Sequence, residues 1–405
     1  MKPYQRFLQY ATIQTASDST QKRCPSTDSQ FTLANLLVEE MHGLGINNAR
    51  VTEHCFVYAS LPATPGYEEK PKLGFLAHLD TVSDFCEHQI NPVIHPNYQG
   101  QDLPLGNSYR TLKVEEYPHL SLYKGQDLIT SDGTTILGAD DKAGIAEIIT
   151  MAECILTSGI PHGTICIAFT PDEEMYNEVH YFDFEEFGAD YAFTLDGEGE
   201  GEIQYETFYA CQADFTIHGC STHPGSAKNT MVNASLIAIE INNMLPQNET
   251  PRDTELYEGY YHLTNISGDS EHSELHYSIR DHNQKHFEER KTILRQITNA
   301  LNKKWGPNTI SLTLTDTHKN MAEVIQHHMH LIQNSSQACI NAGIEPKIIP
   351  LRGVTDGCWL SFHGLPCPNI GTGGHAFHTP FEHITIESME KVTQMLVELI
   401  KLYSR

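Results

Sequence analysis

Three short apolar runs do most to constrain what this 405-residue chain can fold into: LGFLAHL at 73–79, GTICIAFT at 163–170 and ADYAFTL at 189–195. Each is nearly continuous in apolar character rather than alternating, as expected of strands covered on both faces inside a mainly parallel sheet. Between the first run and the second, Ile145, Ile148, Ala152, Ile155 and Leu156 recur at helical spacing from Asp141 to about Ser158. Strands alternating with helices predict an α/β fold.

The texture changes near Phe208. A strand over 208–218, a helix over 230–245 (with Met231, Leu236 and Ile239), two strands over 260–281 around SGDSEHSE, a helix over 284–302 and an alternating strand ISLTLTDTH at 310–318 follow in order. That β-α-β-β-α-β succession is the split βαβ arrangement of a compact α+β domain. After about 320 the α/β texture returns and ends in a helix over 384–402, with Met389, Val392, Leu396 and Leu399 on one face. The expected organisation is a first domain of 1–207 and 320–405, with 208–319 inserted into it.

Charge narrows the partners. Lys and Arg number 26 against 52 Asp and Glu, a formal charge of −26 that repels nucleic-acid phosphates and anionic lipid surfaces alike. No stretch approaches the ~20 apolar residues of a membrane span, and the N-terminal segment lacks the apolar core of a signal peptide. A cytoplasmic protein without nucleic-acid or membrane partners is expected. The ten cysteines are scattered, with no CxxC pair, and read as reduced, mostly buried thiols rather than zinc ligands.

The chemistry-bearing residues sit where the apolar runs stop. His78 and Asp80 close the first, Glu173 and Glu174 follow the second, and Asp196 follows the third; Asp140 and Asp141 open the helix, and His378 lies in the loop GTGGHAFH. In an open parallel sheet, ligands bind beyond the carboxyl ends of the strands, so these residues should converge. Singly each has a plainer role: Asp140 or Asp141 as a helix N-cap, Glu173–Glu174 as a solvated loop pair, Asp196–Gly197 as a turn. Together, two imidazoles and several carboxylates without a nearby thiolate suit a hydrolytic zinc site, with manganese or cobalt as alternatives. A carboxylate bridging two ions ~3.5–4 Å apart would activate a shared water and polarise a carbonyl. The Glu173–Glu174 pair can both ligate and move protons.

At this point the segments LAHLDT (76–81), TTILGADDKAGIAEI (134–148), PHGTICIAFTPDEE (161–174), TLDG (194–197), HPGSAKNTMVNA (223–234), IRD (279–281), LRGVTDG (351–357) and GLPCPNIGTGG (364–374) closely resemble one family. It is the di-zinc metallopeptidase family that includes aminoacylases, carboxypeptidases and dipeptidases, and the resemblance is to its tripeptide-aminopeptidase branch from about residue 6 to the C-terminus. It implies a zinc-peptidase catalytic domain and an inserted lid and dimerisation domain. His78 and Asp196 would ligate one zinc, Glu174 and His378 the other, and Asp140 would bridge them. Asp80 would orient His78, Glu173 would be the general base, and Asp141 would help fix the bridge through an unusual cis peptide. His223 would stabilise the oxyanion in the partner subunit of a homodimer. Asn233, Arg280 and Arg352 would bind the C-terminal carboxylate of a small peptide substrate.

The implied activity is removal of the N-terminal residue of tripeptides by a water held between two zinc ions. The alternatives are a di-zinc hydrolase of a dipeptide or an N-acyl amino acid, and a non-catalytic peptide-binding relative. The chain departs from the family pattern after PDEE, where Met175-Tyr176-Asn177-Glu178-Val179-His180 replaces a small, Gly-containing segment. It also departs at the acidic DGEGEGE (196–202) and at His375, which stands in place of an aromatic residue. The first of these is expected to reshape the rim beside Glu174.

Overall fold

The computed structural model describes residues 1–106, 108–175 and 179–405. The central part of the departure after PDEE, Tyr176 to Glu178, lies outside the described residues. The chain forms two compact units, one of Met1–Tyr205, Glu323–Ile349 and Thr355–Arg405, the other of Glu206–Ala322 with Pro350–Val354.

The first unit is built on an eight-stranded sheet in the order Arg50–Val51, Val57–Leu61, Ile165–Thr170, Leu73–His78, Tyr191–Gly197, Asn369–Gly371, Glu202–Gln204, Lys347–Ile348. Its middle four strands run parallel. Antiparallel pairs appear only to either side of them. Every residue of Leu73–His78 and of Ile165–Thr170 is buried, as their continuous apolar pattern requires. The helices Pro3–Ala11, Ala139–Ser158, His330–Asn341 and Ile386–Tyr403 pack on one another. The apolar stripe Met389, Val392, Leu396 and Leu399 of the last helix is fully buried.

That helix starts at Ile386, two residues later than its pattern suggests. The Thr385 side chain accepts the N–H of Ser388 as its cap, and His383–Thr385 is a strand. The strand belongs to a second sheet that the sequence did not announce, ordered Gly374–His375, His383–Thr385, Leu128–Thr130, Val93–His95. One glycine is needed for the site. A Cβ on Gly144 would lie 2.4 Å from the carbonyl of Leu195 and 2.5 Å from Asp141 Oδ1, so its absence lets the helix close onto the Tyr191–Gly197 strand.

The second unit is a four-stranded antiparallel sheet, ordered Tyr260–Gly268, His272–Asp281, Tyr209–His218, Ile310–His318. Two helices, Ala234–Met244 and Gln284–Trp305, complete the strand-helix-strand-strand-helix-strand succession. Phe215, Leu275, Tyr277 and Ile279 from the sheet form a core with Ile237, Ile241, Leu294 and Ile297 from the helices. Burial alternates along His272–Asp281, the mark of a sheet covered on one face. The first helix starts at Ala234 rather than near 230, because the Asn233 side chain caps it by accepting the N–H of Leu236. Pro350–Val354, which the sequence pattern leaves with the first domain, joins this unit. The Leu351 N–H bonds the Glu206 carbonyl at 2.9 Å, and the Arg352 guanidinium donates to the carbonyls of Leu256 and Glu258.

Candidate metal centre

Three neighbouring parallel strands end side by side, and their ends build the site. In register, His78 sits opposite Thr170, and Leu76 opposite Thr194, which brings the residues after each strand to one edge. His78 is the last residue of its strand, Glu173 and Glu174 form a short turn after the second, and Asp196 is the penultimate residue of the third. Asp140 and Asp141 open the Ala139–Ser158 helix with non-helical dihedrals, joined by a cis peptide. His378 comes from the loop beyond Gly374–His375 and holds a positive φ of 62°, unusual for a non-glycine residue.

The side chains converge on Asp140. Its Oδ1 lies 2.8 Å from His78 Nε2, and its Oδ2 lies 3.0 Å from His378 Nε2. His78 Nε2 is also 3.5 Å from Asp196 Oδ1, and His378 Nε2 is 3.0 Å from Glu174 Oε1. Each oxygen of one carboxylate thus faces a different imidazole, and each imidazole faces one further carboxylate. The other ring nitrogen of His78 donates to the carbonyl of Asp80 at 3.0 Å, which leaves Nε2 as the atom turned to the cluster. The carboxylate of Asp80 has a second task. It accepts the backbone N–H groups of Glu173 at 3.0 Å and Glu174 at 3.3 Å, fixing the turn that carries both. Asp141 Oδ2 accepts the N–H of His78 at 3.1 Å.

The electrostatics call for positive charge. Burial, reinforced by neighbouring carboxylates, pushes Glu173, Glu174 and Asp141 above the usual carboxylate range and Asp196 up to about 7. Asp140 moves the other way, because its two imidazoles outweigh the cost of burial. The imidazoles show the complement. Burial disfavours their charged forms, yet the carboxylates win, raising His78 well above its ordinary value and His378 to about 11. A set of acids that would rather hold protons, packed against histidines that would rather be cations, is a donor set short of positive charge. Divalent cations fit that deficit. The buried Oε1 of Glu173 has no hydrogen-bond partner, leaving this oxygen available to a bound water.

Ligand atoms of His78, Asp140 and Glu174 lie within 4.8 Å of one another, and so do those of His78, Asp141 and Asp196. A family model for peptidases of M20/M25/M40 matches residues 132–402. The chain belongs to this peptidase family. It is 48% identical over 99% of both chains to peptidase T of Alkaliphilus oremlandii, and 45% identical to peptidase T of Bacillus subtilis, over 98% of this chain and 97% of that one. Its fold matches the crystal structure of aminopeptidase PepT from Bacillus cereus with a TM-score of 0.78 at 20% identity, covering 100% of this chain and 98% of that one. A tripeptidase from Staphylococcus aureus matches with the same TM-score, identity and coverage.

Of the residues the M20 resemblance singles out, His78, Asp80, Asp140, Asp141, Glu173, Glu174, Asp196 and His378 come together in the first unit. His223, Asn233, Arg280 and Arg352 belong to the second. There His223 is exposed, and its Nδ1 accepts the N–H of Gly225 at 3.1 Å. Asn233 spends its Oδ1 on the helix cap. Arg352 is committed to Leu256, Glu258 and the Thr254 hydroxyl, whereas the Nε of Arg280 is buried without a partner. Two supporting carboxylates went unrecognised in the sequence. Asp172 accepts three hydrogen bonds of 2.6 Å from the Ser26 N–H, the Ser26 hydroxyl and Gln30, tying down the loop before Glu173. Glu382 accepts three backbone N–H groups beside Asp140. Neither carries a local pattern that marks such a role, since the groups each one holds are far away in the sequence.

Proposed function

We propose that the chain is a metal-dependent tripeptide aminopeptidase, in which His78, Asp140, Asp196, Glu174 and His378 would hold two divalent cations, with Asp140 as the carboxylate common to both. The observation that carries this reading is the placement of the two Asp140 oxygens against separate imidazoles, each backed by its own second carboxylate. The peptidase T relatives, similar over nearly the full length, support the substrate class. Imidazole and carboxylate donors without a thiolate favour zinc, with manganese or cobalt as alternatives. When bound, such cations acidify water and polarise a carbonyl.

The chain's own residues supply the rest. Glu173, buried and with one oxygen unpartnered, takes a proton from the attacking water and returns it to the leaving amine. Asp80 and Asp141 hold the backbone of the turn and of His78, so these groups need not reorganise during reaction. Because Gly225 donates to Nδ1 of His223, the proton of the neutral ring sits on Nε2, where it can be given to an oxyanion. Arg280, with a free Nε, receives the substrate's terminal carboxylate in preference to the committed Arg352. The second unit acts as lid and dimerisation domain. Leu236 and Ile239 stand exposed on its first helix and Ile266 on its edge strand, apolar surface suited to a second copy, which would bring each His223 to the partner's site. No described helix is long and apolar enough to cross a membrane; the cysteines stand as thiols rather than disulfides, in keeping with a reducing, cytoplasmic setting.

The test is a panel of di-, tri- and tetrapeptides together with N-acyl amino acids, run on zinc-loaded protein. Release of the N-terminal residue from tripeptides above all other substrates is expected. Cleavage of acyl amino acids but not tripeptides would overturn the assignment.

A further inference from the structure

The Ala139–Ser158 helix, which carries Asp140, begins without an ordinary cap. Its N-cap position is Gly138, which has no side chain to offer and sits at φ 76°, and the two aspartates that follow are not yet helical. The first N–H groups of such a segment need acceptors from elsewhere. One carboxylate provides them. Glu382 Oε2 accepts the N–H of Leu137 at 2.7 Å and of Gly138 at 2.8 Å, while Oε1 accepts the N–H of Asp140 at 3.0 Å. Glu382 is 1% exposed, so these bonds form away from competing water.

The loop that supplies Glu382 also supplies His378, four residues earlier. It is braced internally: the Thr379 hydroxyl donates to the Ala376 carbonyl and accepts the Phe381 N–H, and the Glu382 N–H bonds the Thr379 carbonyl. Its far end is the His383–Thr385 strand, paired with Leu128–Thr130. Asp140 is therefore held twice by one loop, at its backbone by Glu382 and at its carboxylate by His378.

We propose that Glu382 is a positioning residue for the metal centre: by clamping 137–140 to the 376–382 loop, it sets the spacing between Asp140 and His378 and thus the geometry of the position shared by Asp140, Glu174 and His378. The inference rests on the reading of this cluster as a dinuclear metal site. Three donors on two oxygens need a carboxylate, since a glutamine in its place presents one oxygen and turns an N–H group toward a backbone N–H. The first position shares Asp140, but its own ligands, His78 and Asp196, lie on strands outside the 376–382 loop, so it should feel the loss of the clamp less.

The experiment titrates metal-free wild type, Glu382→Gln, Glu382→Asp and Asn283→Ala with cobalt(II), following visible absorption, heat and the melting temperature, and then measures kcat and KM on a tripeptide. Asn283 caps the Gln284–Trp305 helix in the second unit, so its variant reports the loss of a cap away from the centre. Wild type should take up two ions. In Glu382→Gln the second ion should bind ~10–100-fold more weakly with an altered spectrum, and kcat should fall by a similar factor with KM unchanged. Asn283→Ala should lower the melting temperature and leave both titration steps alone. A folded Glu382→Gln that binds both ions at wild-type affinity, with the wild-type spectrum, would overturn the proposal. Failure of both Glu382 variants to fold would overturn it too, by assigning the clamp to the fold rather than to the centre. Wild type binding fewer than two ions would instead overturn the dinuclear reading on which the proposal rests.

Discussion

The two units handle their functional side chains in opposite ways. In the first, the acids and His78 are mostly buried while His378 is half-exposed on its loop, the side chains touch one another, and they are fixed by backbone contacts from Asp80, Asp141, Asp172 and Glu382. In the second, His223 is exposed on a short turn, Asn233 and Arg352 are occupied with local structure, and Arg280 alone of the four has a buried donor with no partner. The first is a preorganised centre whose charges are wrong for an empty site and right for cations. In the proposed function, the second presents groups that act only when substrate or a partner is brought to them. Losses in the first unit should therefore remove chemistry, and losses in the second should weaken transition-state contacts or binding while the centre stays loaded.

The largest effect should come from Asp140. On the proposed dinuclear reading, Asp140→Ala would take away the negative charge shared by two cations, so metal content should drop to one ion or none per chain and activity to background. Elemental analysis beside a peptidase assay checks this, and full metal content with retained activity would erase the distinction between the units. With Glu173 in the proposed role of proton transfer rather than ligation, Glu173→Ala should lower kcat ~10²–10⁴-fold with metal content unchanged. Loss of metal in that variant would make Glu173 a ligand.

Two substitutions in the second unit sharpen the comparison further. His223→Ala should cost ~10²–10³-fold in kcat with both ions retained, the usual worth of one oxyanion donor. Co-expressed with differently tagged Glu173→Ala, it should regain activity in heterodimers, where one of two sites receives both intact residues. Tagged heterodimers as inactive as their parents would confine His223 to its own subunit or to no role. The smallest effect is expected for Arg280→Ala, which should raise KM for tripeptides ~10–100-fold, the value of a charge-assisted hydrogen bond. Tripeptide amides, lacking the terminal carboxylate, should be cleaved equally by wild type and variant; an equal loss on both would remove Arg280 from carboxylate binding.

How much could be read from the sequence followed how strongly each feature is imposed by local pattern. The buried strands ending at His78, Thr170 and Gly197 were legible because parallel strands covered on both faces need unbroken apolar runs, and the functional residues follow from where those runs stop. The split βαβ unit was legible through its alternating strands. The sheet containing His383–Thr385 was not, since strands of two or three residues are too short for a period to show. Helix starts at Ala234 and Ile386 were misplaced by a few residues because the caps at Asn233 and Thr385 decide them, not the apolar stripe. Leu236 and Ile239 lie on the exposed face of their helix. Pro350–Val354 changed units through the Leu351 N–H bond to Glu206 and the Arg352 guanidinium bonds to Leu256 and Glu258, partners distant in the chain that no local pattern names. Asp172 and Glu382 escaped for the same reason, their partners being N–H groups, a hydroxyl and an amide far away in sequence.

The central claim is that Asp140 lies between two cations, and anomalous diffraction from crystals of the zinc-loaded protein tests it most directly. The account predicts two peaks per chain ~3.5–4 Å apart, one beside His78 and Asp196, the other beside Glu174 and His378, with Asp140 contacting both. A single peak at full zinc loading, or two peaks that do not share Asp140, would contradict it.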